Sequence, residues 1–317
     1  MSFDDHPDPS DGTAIAPDHF ERSELFQYFK ERIKDVYRSP EREAVDQYGL
    51  IVVGGQALSL WAREYLLDEM TGEELHFVAS DDLDFIGRKG SVGFCEERMQ
   101  VSFRRATIED HTPNLAVAEI AWDDDKKILI DILDAIAGVS LDEIYKHLES
   151  VVLDDVRIAI IDPISCMQSR LFNLYAPWCG NREREAVRTK LAIRASNCYL
   201  RETLVEGGYR EAVPFFKRIH DLALSKNGKD AFYDYGLDLL QAIPIDPGML
   251  PKQFIEKNWP GIVKQVGDAR SRKAIQYQSH NREPLGLKFA SSKAELEKSL
   301  LDRPVATTAV APKRPKS

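Results

Sequence analysis

Two aspartates in the stretch ASDDLDFIG, residues 79–87, have the spacing of a shared chemical site. Asp82 and Asp84 are separated by Leu83, and Phe85 follows them. Because side chains alternate between the faces of a strand, a strand here directs both carboxylates to one face and both apolar groups to the other. Two unit charges about 4 Å apart repel by roughly 4 kcal/mol at an effective dielectric constant near 20. Such a pair persists when it takes up a proton or holds a cation.

A third acid lies in the apolar run KILIDILDAI, residues 127–136, where Asp131 is surrounded by isoleucine and leucine. Burying an isolated carboxylate costs free energy unless it has a partner. Hard oxygen ligands without thiols or imidazoles favour Mg²⁺ or Mn²⁺. Asp82, Asp84 and Asp131 are therefore the predicted metal-binding residues. Asp134 competes for the third place, but it falls on the opposite face of a regular strand.

Each of these acids also has an ordinary structural interpretation. Asp82 and Asp84 suit a solvated acidic turn, since the sequence SDD is typical of turns. Asp131 suits an edge strand with one face toward water. On this interpretation the chain is an α/β scaffold with a helical extension, and its three carboxylates are dispersed in space.

A glycine pair lies in the stretch YGLIVVGGQALSLW, residues 48–61. The pattern predicts a strand that ends before Gly54 and a helix that begins at the glycines. Glycine lets a phosphate chain approach the backbone because no Cβ atom stands in the way. The alternative is a tight packing turn between strand and helix. Neither G-x-x-x-x-G-K-[ST] nor G-x-G-x-x-G is present, which excludes the P-loop and dinucleotide-binding motifs.

The order strand, Gly-Gly, helix, Asp-x-Asp strand and single-Asp strand resembles the nucleotidyltransferase superfamily of DNA polymerase β. VVGGQALSLW and SDDLDFIG are most similar to minimal nucleotidyltransferases of the abortive-infection and toxin–antitoxin type. The motif-level similarity covers residues 48–135, with a looser similarity in IDPISCMQSRLFNL. It implies that Gly54 and Gly55 contact the phosphates of an NTP such as ATP. It also implies that Asp82, Asp84 and Asp131 are the catalytic residues: Asp82 and Asp84 bind Mg²⁺, and Asp131 completes the metal site and activates the acceptor.

The chain departs from that family pattern in three places. Residues 56–81 separate the glycines from Asp82, a longer interval than compact members of the family use. Arg170 occupies the position where the toxin enzymes usually have a lysine, so the charge is kept but its shape changes. Lys190 is available as the later basic residue, although no aspartate follows it. The resemblance thus assigns Arg170 and Lys190 to nucleotide binding, with less support than the metal site has.

The resemblance implies Mg²⁺-dependent transfer of a nucleoside monophosphate from an NTP to an acceptor, with release of pyrophosphate. RNA, and tRNA in particular, is the first expected acceptor, in a toxin or phage-defence enzyme with a small inhibitory partner protein. A protein or a small molecule such as an aminoglycoside is the next expected acceptor. The rival hypothesis is a nucleotidyltransferase-like binding partner or antitoxin without catalytic activity.

Length and composition predict a two-domain globular chain. It has 317 residues, of which 43% are hydrophobic and 30% charged. No apolar run approaches the roughly 18 residues that span a bilayer, and the acidic amino terminus lacks the features of a secretory signal. We therefore expect a cytoplasmic protein with no membrane partner. The formal charge of −10 disfavours general affinity for nucleic acids, and four cysteines without a C-x-x-C pair give little support to zinc or disulfides.

An α+β fold is predicted, in which a small mixed sheet flanked by helices (residues 20–155) precedes a mostly helical domain (residues 156–290). Residues 1–19 and 291–317 are predicted to be disordered because they offer few apolar groups. The predicted extended segments are 50–53, 76–79, 83–86, 99–103, 116–122, 127–133 and 151–162. The predicted helices are 20–37, the one that begins at the glycine pair, 140–151, 163–175, 181–205, 211–226, 230–242 and 251–277.

Overall fold

The computed structural model describes residues 24–38, 43–110, 112–123 and 126–279. The segments 1–19 and 291–317, predicted to be disordered, lie outside the described residues. The predicted α+β fold is confirmed, because a mixed sheet with flanking helices is followed by a helical region. The chain divides into two compact units, the first ending at Ser169 and the second beginning at Arg170.

Within the described residues of the first unit, seven strands form one mixed sheet. They are β1 (Ile51–Val53), β2 (Asp82–Ile86), β3 (Arg104–Arg105), β4 (Asn114–Asp123), β5 (Lys126–Leu133), β6 (Glu149–Leu153) and β7 (Val156–Ile160). Their order across the sheet is β3-β4-β5-β2-β1-β7-β6. β1 is antiparallel to β2 and parallel to β7, while β2 is parallel to β5. The apolar strands β1 and β2 therefore occupy the middle of the sheet, between the hairpins β4–β5 and β6–β7.

Helices of the first unit pack around this sheet. They are α1 (Glu24–Tyr37), α2 (Glu43–Asp46), α3 (Gly54–Leu66), α4 (Gly72–Val78), α5 (Ser91–Met99) and α6 (Leu141–Lys146). Short 3₁₀ turns lie at Leu67–Glu69 and Ile108–Asp110. The next helix, α7 (Pro163–Leu174), begins in this unit and continues past its end. α3 packs on β1 and β2 and buries Trp61, whose indole N–H donates to the carbonyl oxygen of Ile161 at 2.8 Å. α1 packs on β7.

The second unit consists of helices. They are α8 (Arg182–Glu206), α9 (Tyr209–Leu224), α10 (Lys226–Tyr235) and α11 (Trp259–Ser279), with a 3₁₀ turn at Leu239–Ala242 and a π-helical turn at Phe254–Asn258. Arg270 is fully buried there and pairs with Asp238 at 2.7 Å, while its guanidinium group lies 3.8 Å from the ring centroid of Phe232. In the described part of the chain no helix combines the length and apolar character needed to cross a membrane.

The prediction of an extended segment at 76–79 is wrong, because residues 72–78 form α4. The helix begins with a capping box in which the hydroxyl of Thr71 accepts from the Glu74 amide and the Glu74 carboxylate accepts from the Thr71 amide, both at 3.2 Å. This reciprocal cap satisfies two amide groups that a helix otherwise leaves unpaired. The local cap therefore outweighs the β-branched and aromatic character of the residues that follow.

Two other elements differ from the predicted ones. The predicted extended segment 99–103 contains the end of α5 and a loop, and only the two residues of β3 pair after it. The helix predicted over 140–151 ends at Lys146, although Ser140 caps it as expected by accepting from the Glu143 amide. β6 takes the last residues of that segment because they pair with β7.

The boundary between the units lies later along the chain than the one expected near residue 155. β7 pairs in parallel with β1, with Val52 opposite Ile160, and so belongs to the sheet of the first unit. The amide of Ile161 also donates to the carbonyl oxygen of Val52. A parallel partner comes from a distant part of the chain, and the hydrophobic pattern of β7 does not reveal which domain it joins.

An ion-pair cluster at the β6–β7 turn ties α1 to the sheet. Asp154 accepts from Lys30 at 2.7 Å and from Lys34 at 2.8 Å, and these pairs lower its pKa to about 2. Its φ of 56° lies in the left-handed region, which asparagine adopts as well as aspartate does. An asparagine at this position therefore removes the charge without straining the turn.

We expect Asp154→Asn to lower the free energy of unfolding by about 1 kcal/mol at pH 7, because the side chain is half exposed and water screens both pairs. Since the folded pKa lies below the unfolded value of 3.8, this contribution is present above pH 3.8 and is lost as the pH falls through 2. Urea unfolding at pH 7 and near pH 2 measures the difference. Asp155→Asn, in the same turn, is the control for net charge, and equal destabilisation by both variants would contradict the prediction.

Candidate active site

The three predicted acids lie on one face of two neighbouring strands. In the parallel pair of β2 and β5, Asp84 is directly opposite Asp131, and Asp82 is opposite Leu129. Directly paired residues of parallel strands direct their side chains to the same face, and residues two apart on a strand do so as well. The register therefore brings Asp82, Asp84 and Asp131 together, in contrast to the dispersed arrangement of a plain scaffold.

The acids differ in burial according to their positions on the strands. Asp82, the first residue of β2, is exposed, while Asp84 is half-buried. Leu83 and Phe85, which alternate with the acids, are fully buried on the opposite face. The predicted alternation of polar and apolar faces on β2 is therefore present, and its polar face begins at the end of the strand that water reaches.

Asp131 has the most perturbed carboxylate of the three. Burial, followed by the negative charge of Asp82, raises the pKa of Asp131 to about 6, and a hydrogen bond from the Asn114 side chain partly opposes this rise. Its Oδ1 atom is buried without a hydrogen-bond partner among the described residues. A buried acceptor without a donor is costly, so this oxygen marks a place where a proton or a cation would be stabilised.

Asn114 is a residue of the site that the sequence analysis missed. The β4–β5 pairing is irregular between Asn114 and Ala116, so that Asn114 is opposite Leu133 and the extra residue is Leu115. In a regular ladder Leu115 would be opposite Leu133, and Asn114 would face the other side of the sheet. The bulge thus directs the Asn114 side chain toward Asp131, and hydrophobic periodicity alone gives no signal of it.

The glycine corner lies directly beside Asp84. Val53, the last residue of β1, is opposite Asp84, and α3 begins at the next residue. Gly54 has a φ of +66°, and a Cβ atom there would overlap the Oδ2 atom of Asp84 and lie 2.7 Å from its Cγ atom. Both the backbone conformation and the close carboxylate therefore require glycine at this position. Gly55 is buried in the first turn of the helix.

The amino terminus of α3 has the properties of an anion-binding end. The residue before the helix, Val53, provides no side-chain cap for the first amide groups. These amide groups have no partner within the helix, and the helix dipole makes this end positive. An anion at this end would be stabilised by both effects. The corner therefore combines an electropositive backbone with three nearby acids.

A short set of polar contacts ties the start of α3 to the segment that leads into β2. The Gln56 side chain is buried and donates to the carbonyl oxygen of Ser80 at 3.4 Å. The Ser80 hydroxyl in turn accepts from the Asp82 amide at 3.4 Å. Ser59 donates to the carbonyl oxygen of Val78 at 2.7 Å. These contacts fix the position of Asp82 relative to the glycine corner.

The chain was matched neither by a family model, nor by a curated protein, nor by a solved structure. The resemblance to nucleotidyltransferases consequently rests on the motifs in residues 48–135 alone. What the structure adds is the register of the two acidic strands and the glycine corner beside them.

The fit of these residues to a divalent cation is mixed. Three carboxylates on one face, one of them with a buried and unpartnered oxygen, form the hard oxygen donor set that Mg²⁺ and Mn²⁺ prefer. However, within residues 24–38, 43–110, 112–123 and 126–279 no three carboxylate, imidazole or thiol side chains are grouped closely enough to hold a metal ion. The strand register suits a cation, and the side chains would have to rotate toward it.

The two predicted basic contacts with the nucleotide belong to the second unit. Arg170 is buried, and its Nη1 atom lies 3.2 Å from Oε1 of Glu185, which is also buried. Lys190 is exposed on α8. The charge of Arg170 is thus already balanced within its own unit, and a role for either residue in nucleotide binding stays a prediction.

We expect Gly54→Ala to lower the free energy of unfolding by about 2 kcal/mol, because an L-residue is strained at this φ and its methyl group would displace the Asp84 carboxylate. Gly93→Ala is the matched control, since a Cβ atom at this position in α5 meets nothing within 4 Å. That variant should be neutral or stabilised by up to about 1 kcal/mol. Urea unfolding of both variants measures the effect, and a neutral Gly54→Ala would show that the corner tolerates a side chain.

The raised pKa of Asp131 predicts a stability difference that depends on pH. Because the folded pKa of about 6 lies above the unfolded value of 3.8, the folded state of the wild type loses stability as the pH rises from 3.8 to 6. Asp131→Asn removes this loss. In EDTA, the variant should gain about 1 to 2 kcal/mol over the wild type above pH 6, allowing for solvent screening, and almost nothing below pH 3.8.

Urea unfolding across this pH range measures the gain. Asp134→Asn is the control, since it removes a carboxylate from an exposed position three residues later. A gain for Asp131→Asn that is equal at pH 3.5 and pH 7 would show that the carboxylate is not the source of the difference.

Proposed function

We propose that the chain is a Mg²⁺-dependent nucleotidyltransferase that transfers a nucleoside monophosphate from an NTP to an acceptor and releases pyrophosphate. The observation that carries the proposal is the register of β2 and β5, in which Asp84 is opposite Asp131 and Asp82 shares their face. The glycine corner beside Asp84 supports it as well, because acids and an anion-binding backbone are then neighbours.

Asp82, Asp84 and Asp131 would hold the cation, Mg²⁺ or Mn²⁺. Rotation about their side-chain bonds is required, because the three carboxylates are on one face but are not grouped as a binding cluster. When bound, the cation would polarise the phosphoryl oxygens and neutralise charge that develops during transfer. Burial and the charge of Asp82 raise the pKa of Asp131, and the cation would offset the second of these.

The glycine corner would hold the phosphates. The first amide groups of α3 form an electropositive end, where a phosphate oxygen would be stabilised. The polar contacts from Gln56 and Ser80 keep this corner and Asp82 at a fixed spacing. Catalysis of phosphoryl transfer depends mainly on such positioning and on electrostatic stabilisation.

Asp131 would also receive the proton of the acceptor. In the proposed step, the acceptor oxygen bonds to the α-phosphorus, the bond from that phosphorus to the bridging oxygen of the β-phosphate breaks, and pyrophosphate leaves. The acceptor proton passes to the Asp131 carboxylate.

RNA, and tRNA in particular, is the acceptor that the family resemblance favours, with a role in toxicity or phage defence under the control of a small inhibitory protein. Transfer to a protein or to a small molecule is the next choice. The formal charge of −10 gives no general attraction for RNA, so an RNA acceptor would need local basic groups.

Two observations favour the alternative of a binding partner or antitoxin without catalytic activity. No three potential ligands are grouped within the described residues. The Arg170 guanidinium, which replaces the family's lysine, is paired with Glu185. A degenerate site that binds a nucleotide without transferring it would have both features.

The test is incubation of the full chain with each α-labelled NTP, Mg²⁺ and total tRNA, total protein or small-molecule acceptors. We expect label in one acceptor class, and a loss of about 100-fold or more for Asp82→Ala and Asp84→Ala. The cation supplies several kcal/mol, and each 1.36 kcal/mol corresponds to a factor of ten in rate. Asp134→Ala, an exposed acid that follows β5, is the control that should retain activity.

Thermal unfolding with and without Mg²⁺ and each NTP distinguishes the two candidates. A ligand at 100 times its Kd stabilises the folded state by about 2.7 kcal/mol. Mg²⁺-dependent stabilisation without label transfer would select the non-catalytic partner. Neither stabilisation nor transfer, with Asp82→Ala identical to the wild type, would refute both.

A further inference from the structure

A basic, glycine-rich loop joins β2 to α5 at the end of the sheet remote from the three acids. Loop 87–91 has the sequence GRKGS; it follows Ile86, the last residue of β2, and its last residue is the first of α5. Asp82 begins β2 at the other end. Five residues of extended chain separate it from Gly87, which corresponds to about 17 Å. Loop 87–91 is therefore separate from the glycine corner, which lies beside the first half of β2.

The start of α5 has no side-chain cap. Gly90 precedes the helix with a φ of +92°, and it has no side chain that accepts from the first amide groups. The Ser91 amide donates to the carbonyl oxygen of Arg88 at 3.0 Å. The next two amides, of Val92 and Gly93, have no acceptor within the helix, and the helix dipole makes this end positive. A Cβ atom on Gly93 would meet nothing within 4 Å, so the first turn has space for a ligand.

The Ser91 hydroxyl is an independent feature that points to a ligand here. It is fully buried and has no hydrogen-bond partner among the described residues. It faces back into loop 87–91, because a Cβ atom on Gly87 would overlap the Ser91 oxygen. A buried hydroxyl without a partner costs free energy, which an acceptor oxygen of a ligand would recover. Alanine at this position would avoid that cost, so packing alone does not explain the serine.

Two exposed cations, Arg88 and Lys89, belong to the same loop. The Arg88 guanidinium carbon lies 4.4 Å from the ring centroid of Tyr145, and its Nε atom donates to the Tyr145 hydroxyl at 3.1 Å. This contact fixes the position of the cation beside a neutral ring, which does not cancel its charge. Asp134, an exposed acid that follows β5 at the same end of the sheet, partly offsets the two positive charges. An anion at the loop would offset the remaining charge.

We propose that loop 87–91 and the first turn of α5 bind the phosphate group of a phosphate monoester. The helix amides, the Ser91 hydroxyl and Lys89 supply hydrogen-bond donors for the oxygens of one phosphate group. A monoester carries nearly two negative charges at pH 7, whereas a diester of the nucleic-acid backbone carries one. The two cations of the loop therefore favour the monoester. The proposal is independent of the proposed function, because the three acids and the glycine corner take no part in it.

The experiment titrates methyl phosphate and dimethyl phosphate with the full chain in EDTA at pH 7 and follows their ³¹P chemical shifts. The wild type should bind the monoester at least about 10-fold more tightly than the diester. Ser91→Ala should weaken monoester binding about 10-fold, because it removes a hydrogen bond to a charged oxygen. Lys89→Met should weaken it about 3-fold, because this lysine is exposed. Lys252→Met, in an exposed pair with Glu256 of the second unit, is the matched control that should bind as the wild type does.

Urea unfolding without phosphate separates binding from a structural role of the serine. Ser91→Ala should be as stable as the wild type or more stable, since alanine removes a buried unpaired hydroxyl. A variant that binds weakly because it is less stable would contradict the proposal. Unchanged binding in both Ser91→Ala and Lys89→Met would assign the phosphate to another place, such as the glycine corner, and overturn it. Equal binding of the two esters, or no binding by the wild type, would overturn it as well. Lys89→Met keeps the test decisive if Ser91→Ala does not fold.

Discussion

The contact between the Asp84 carboxylate and the bare Cα atom of Gly54 is the constraint on which the site depends. β1 ends opposite Asp84, and the chain must turn into α3 at the next residue. The carboxylate occupies the volume that a side chain at Gly54 would need. One residue therefore sets the left-handed turn, the start of the helix and the space for the acid, and any change to one of these alters the other two.

The parallel pairing of β2 with β5 adds an unfavourable free energy to this arrangement, that of a buried carboxylate close to another negative charge. It places Asp131 on the face of Asp82 and Asp84, where burial and the charge of Asp82 both oppose ionisation. Asn114 offsets part of that cost, and one buried oxygen still lacks a donor. Apolar residues at position 131 would pack without this penalty. The proposed function gives a reason for an acid that destabilises its own strand.

The sequence predicted correctly the elements whose structure depends on neighbouring residues in the chain. The alternation around Asp82 and Asp84, the apolar run around Asp131 and the Gly54 corner were readable because strand period and glycine conformation are local properties. The position of Asn114 could not be predicted, because a single extra residue in β4 reverses the face of the sheet on which its side chain lies. The place of β7 in the sheet was missed for a related reason, since its partner is β1, about a hundred residues earlier.

Arg170 shows where a family pattern and local chemistry diverge. Its guanidinium group is buried with the Glu185 carboxylate, and drawing it away to contact a phosphate would leave a buried acid without its partner, at a cost of about 3 to 5 kcal/mol. Arginine suits such a planar pair better than the family's lysine does. Phosphate recognition in the proposed function would then fall to the backbone at the start of α3 and to the cation, both in the first unit. Lys190, which is exposed, is the remaining basic candidate in the second unit.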